Sequence, residues 1–60
     1  MKTTKTWTAV EYEGRKPVRE IEWIGLTKAE AVAAARELAS VTRSNVRLYD
    51  TKRGVQVWES

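Results

Sequence analysis

The chain contains no cysteine and no histidine. The first absence removes disulfide staples and thiolate metal sites. The second removes the commonest general base and most zinc centres. Small secreted domains usually depend on disulfides, so the composition points to an intracellular, cytoplasmic protein. No apolar run approaches the roughly 20 residues that a membrane span requires, and no signal-peptide pattern is read at the start. Bulky apolar side chains are also scarce. Val, Ile, Leu, Met, Trp and Tyr together number 18, and the other seven apolar residues are alanines. Sixty residues are expected to form one small α+β domain over 1–60, with 1–4 frayed. A core this thin favours oligomerisation. The net charge of +3 is compatible with polyanion binding without requiring it.

What is present organises into five elements. "KTWTAVEYE" (Lys5 to Glu13) is rich in Thr, Val and aromatics and reads as a strand. "GRKP" (Gly14 to Pro17) reads as a turn, and "VREIEWI" (Val18 to Ile24) as the returning strand. A loop from Glu13 to Pro17 sets Tyr12 opposite Val18, Glu11 opposite Arg19, Ala9 opposite Ile21 and Trp7 opposite Trp23. The last three are an ion pair, an apolar pair and an aromatic pair on one face. In "LTKAEAVAAARELAS", Thr27 and Glu30 form a capping box with Leu26 as a hydrophobic staple. The helix is expected from about Lys28 to Ser40. Its inward stripe is Ala31, Val32, Ala35, Leu38 and Ala39, small enough to leave room for Trp7 and Trp23.

After a linker from Val41 to Asn45, "VRLYD" and "VQVWE" read as two strands joined by "TKRG". Pairing Asp50 with Val55 sets Leu48 opposite Val57 and Arg47 opposite Trp58. Val46, Leu48, Val55 and Val57 then share an apolar face, with Arg47, Tyr49, Gln56 and Trp58 on the other. The fold class is α+β, a two-layer ββαββ with a four-stranded, mainly antiparallel sheet and one helix packed on one face. Strand order 2-1-3-4 lets the helix cross the first strand.

The pattern resembles a loose group of small bacterial and phage ββαββ domains. The resemblance is carried by "WTAV", by "TKAEAVAAARELA" and by a turn ending in Gly54. It implies this fold and no activity; a phage or mobile-element origin is the expectation from the size and style of the chain.

Three kinds of function can be weighed against the residues. On the outer sheet face, Tyr12, Ile24, Tyr49 and Trp58 are the expected anchors of a protein contact, a homodimer or another protein partner. Trp58 could instead clamp the C-terminal strand over Arg47 by a cation–π contact. The alternative is a small nucleic-acid-binding protein using Arg47, Lys52 and Arg53, with Arg15 and Lys16. The two basic turn tips are expected at opposite ends of the sheet, and Glu20 and Glu22 on the outer face would repel phosphates. Catalysis is not expected. Glu11 with Glu13 and Glu20 with Glu22 are the only paired carboxylates, with no pocket, nucleophile or third ligand beside them. The expectation is a non-enzymatic interaction module without metal, cofactor or membrane contact.

Overall fold

The alternation of Thr, Val and aromatic residues at the start of the chain yields a strand whose successive side chains point to opposite faces. The computed structural model describes residues 5–60; the fraying expected for 1–4 lies outside the described residues. The elements are β1 (Thr6–Glu13), β2 (Lys16–Ile24), α1 (Lys28–Thr42), β3 (Asn45–Asp50) and β4 (Val55–Glu59). They form one four-stranded sheet in the order β2-β1-β3-β4, with every neighbouring pair antiparallel. The expected ββαββ architecture and strand order are therefore both observed. Because β2 and β3 each oppose β1, they run parallel to one another, and α1 makes the crossover between them.

In the first hairpin Trp7 meets Trp23, Ala9 meets Ile21 and Glu11 meets Arg19, as the sequence indicates. The turn is tighter than expected. β2 begins at Lys16, opposite Glu13, so only Gly14 and Arg15 make the reversal, and Gly14 takes φ 66°. A two-residue turn with positive φ matches the twist of paired strands. The shortening displaces the register, so Tyr12 faces Pro17 rather than Val18, with a bulge between Glu11 and Tyr12. Proline, which has no N–H to give a ladder, suits that irregular edge position.

The helix starts as the capping box dictates. Thr27 Oγ1 accepts from Glu30 N at 3.2 Å, and Glu30 Oε1 accepts from Thr27 N at 2.9 Å. It runs to Thr42, two residues beyond the expected end, and closes on Arg43 in the left-handed conformation at φ 57°. The Thr42 hydroxyl donates back to the Leu38 carbonyl, so the linker to β3 shrinks to Arg43 and Ser44.

The fully buried core consists of Trp7 and Ala9 from β1, Val46 and Leu48 from β3, and Ala31 and Ala35 from α1. Alanines on the helix let it approach the sheet closely enough to cover the Trp7 indole, which is 2% exposed. Its Nε1–H donates to the Leu26 carbonyl at 2.8 Å, which ties the helix entry to the sheet. Val32, Leu38 and Ala39 pack around this centre, as do Ile21 and Trp23. No helix among the described residues is long and apolar enough to cross a membrane.

The second hairpin departs from strict alternation. Asp50 meets Val55 as expected, but Tyr49 meets Gln56 while Leu48 meets Trp58, so Val57 is an extra residue in a bulge. Leu48 thus faces Trp58 rather than Val57, and Arg47 faces Glu59 rather than Trp58. Trp58 consequently turns to the helix side, where it and Val57 both pack against the core. An indole covers far more apolar surface than a valine, which favours the bulged register over the regular one. Val55 remains 48% exposed.

Candidate functional site

Pairing across the sheet sets the open face, opposite the helix, as rows of side chains. Glu22, Thr8, Tyr49 and Gln56 form one row; Glu20, Val10, Arg47 and Glu59 form the next; Pro17, Tyr12 and Asn45 form the third. Ile24 stands beside Thr6 at the end of this face, 65% exposed. No element of the described chain covers these residues.

Arg47 lies at the centre. Its guanidinium sits 4.7 Å from the centroid of the Tyr12 ring, and its Nε is 3.5 Å from Glu59 Oε2. Cationic planes stack favourably on aromatic faces, and this stack together with the ion pair holds a side chain that would otherwise be free. The Tyr49 phenol is the chief influence raising the Tyr12 phenol above its ordinary range, with burial second. The same residue is the first cause of the rise at Arg47. Tyr12, Arg47, Tyr49 and Glu59 thus form one preorganised polar and aromatic cluster drawn from three strands.

Of the expected interface anchors, Tyr12 and Tyr49 are brought together, with Ile24 at the margin of the same face. Trp58 is not among them, because the β4 bulge turns it to the core. The cation–π partner of Arg47 is accordingly Tyr12 and not Trp58. Val10, beneath Arg47, belongs to the face, a placement that follows from pairing β1 with β3.

The five cations considered for nucleic-acid binding do not share a surface. Trp7 pairs with Asp50, so the turn carrying Lys52 and Arg53 lies at the end where β1 begins. Arg15 sits in the turn at the opposite end of β1, followed by Lys16 at the start of β2. Arg47 lies between them, on the face that also carries Glu20, Glu22 and Glu59. The "TKRG" segment is a well-satisfied turn. Asp50 Oδ1 accepts from the backbone N–H groups of Lys52 and Arg53 at 3.2 and 3.3 Å, and Gly54 N donates to the Asp50 carbonyl at 2.7 Å. That geometry is an Asx turn closed by a glycine at positive φ.

The carboxylates separate likewise. Glu11 is buried on the helix side at 8% exposure, where it accepts from the Ser44 hydroxyl at 3.1 Å. Its other oxygen lies 3.6 Å from Arg19 Nε, close enough for attraction but too far for a hydrogen bond. Glu20 and Glu22 are exposed on the open face. Among the described residues no group of three acidic, histidine or cysteine side chains is arranged to hold a metal ion.

The fold and the site define a small open-faced α+β sandwich. The chain matches no family model, no curated protein and no solved structure.

Proposed function

We propose that this protein is a non-enzymatic interaction module that binds protein through its open sheet face, with a second copy of the chain as the partner. The observation that carries this reading is the cluster of Tyr12, Arg47 and Tyr49 at the centre of a sheet face that no element among the described residues covers. Tyrosine and arginine are among the residues most enriched in the buried centres of protein contacts, and held side chains lose little entropy when a partner arrives. Val10 and Ile24 supply apolar area on the same face. A core buried on only one side of the sheet gives the chain a stability motive for covering the other.

Glu20, Glu22 and Glu59 rim this face, so two copies meeting there bring like charges together. Added salt should therefore strengthen self-association, the opposite of its effect on a phosphate contact. The test is sedimentation equilibrium of the wild type and of a Tyr12→Ser, Tyr49→Ser double variant at low and high salt. The expected result is a wild-type mass above that of the monomer, rising with salt, and a folded monomeric variant. A wild-type mass equal to the monomer at every concentration, or an unchanged mass in the variant, would overturn the reading.

A further inference from the structure

Where β1 begins, the chain forms a cleft of about 460 Å³ that the open-face cluster does not use. It is lined by Lys5, Thr6 and Thr51, by Lys52 and Arg53 from the turn, and by the carboxylates of Glu22 and Asp50. Two segments remote in sequence are brought together there by the pairing of β1 with β3, which also places Thr51 N on the Thr6 carbonyl at 3.2 Å. None of the three cations lies within ion-pair distance of a carboxylate among the described residues, whose ion pairs are Arg19–Glu11 and Arg47–Glu59. Lys5 leans toward the Trp7 ring, 5.7 Å from its centroid, on a stem long enough to swing into the cleft. The Asp50 carboxylate is committed to the turn, where its Oδ1 accepts two backbone N–H groups. Glu22 is the one acid facing the cleft without such a role.

We propose that this cleft binds a compact phosphate group, free or as a phosphomonoester, with Lys5, Lys52 and Arg53 supplying the charge and the Thr6 and Thr51 side chains flanking it. Cations gathered in one cleft beside threonine hydroxyls supply the chemistry that phosphate oxygens require. The surroundings select a compact ligand over a nucleic-acid strand. A strand leaving the cleft across the open face meets Glu20 and Glu22, the other basic turn is at the far end of the sheet, and no aromatic ring lines the cleft to stack a base.

The test is a titration of isotope-labelled protein, followed by amide chemical shifts, with inorganic phosphate, a nucleoside monophosphate and a short oligothymidylate, each against sodium chloride at equal ionic strength. Saturable shifts at Thr6, Thr51, Lys52 and Arg53 are expected with the first two ligands. Lys52→Ala with Arg53→Ala should weaken them at least about tenfold, the scale of losing a charge-assisted hydrogen bond. That variant keeps the turn, because Asp50 holds backbone groups rather than these side chains. Glu22→Gln should tighten binding. Shifts no larger than those with chloride, or an undiminished response in the double variant, would overturn the site. Oligothymidylate binding far more tightly, with shifts reaching Arg15 and Lys16, would replace it with a nucleic-acid surface.

Discussion

Trp7 shows how much one side chain carries in a core of six buried apolar residues among those described. Its indole fills the space that Ala31 and Ala35 leave, and its N–H satisfies the Leu26 carbonyl. Trp7→Phe should cost about 1–3 kcal/mol through that unpaired carbonyl, and Trp7→Ala about 3–5 kcal/mol through the cavity as well. Urea denaturation followed by circular dichroism measures both. Glu11 behaves differently toward its two partners. Ser44→Ala removes the hydroxyl that donates to it and should destabilise by about 1–3 kcal/mol. Arg19→Ala should cost under about 1 kcal/mol, because the Arg19 side chain is 59% exposed. On the open face, Tyr49→Phe should bring the Tyr12 phenol down toward its ordinary value, since the Tyr49 phenol is the largest cause raising it. A raised phenol in the folded state implies stability that is complete below about pH 10 and declines as pH climbs through the folded value. Ultraviolet absorbance during an alkaline titration of the two proteins reads the shift directly.

Among the elements, the helix was the most legible in sequence, because its start is set by a local exchange between Thr27 and Glu30. Its end was not, since nothing local in Arg43 announces a left-handed residue. Thr27→Ala should therefore cost about 1 kcal/mol, and Arg43→Gly should gain up to about 1 kcal/mol by relieving positive φ. The first hairpin was legible wherever paired residues were chemically matched, as with Trp7 and Trp23 or Glu11 and Arg19. It failed at Tyr12, where the two-residue turn and Pro17 imposed a bulge. The second hairpin failed for a related reason. "VQVW" alternates perfectly on paper, but burying Trp58 outweighs regular pairing, and this removed one of the four expected anchors. The Arg47–Tyr12 stack was hidden because it spans β1 and β3, strands that only the assembled sheet makes neighbours.

At the scale of the molecule, charge is sorted rather than mixed. Glu20, Glu22 and Glu59 gather on the open face around one arginine, while Lys5, Lys52 and Arg53 gather at one end of the sheet and Arg15 and Lys16 lie at the other. The sequence's mild basic bias conveyed none of this, and it is why the five proposed nucleic-acid residues do not form a surface. The seam between β1 and β3 has a consequence for how fast the chain assembles. Both hairpins close over short loops, whereas that seam joins distant segments and buries Trp7, Ala9, Val46 and Leu48 at once. Docking of the two hairpins should then be the rate-limiting event. Leu48→Ala, in the seam, and Gly54→Ala, in a hairpin already closed when the seam forms, are both expected to slow refolding more than they hasten unfolding. Stopped-flow chevrons of the two variants would show the loss on the folding limb, so a defect in either part is felt as a delay in becoming folded rather than as a shorter stay in the folded state.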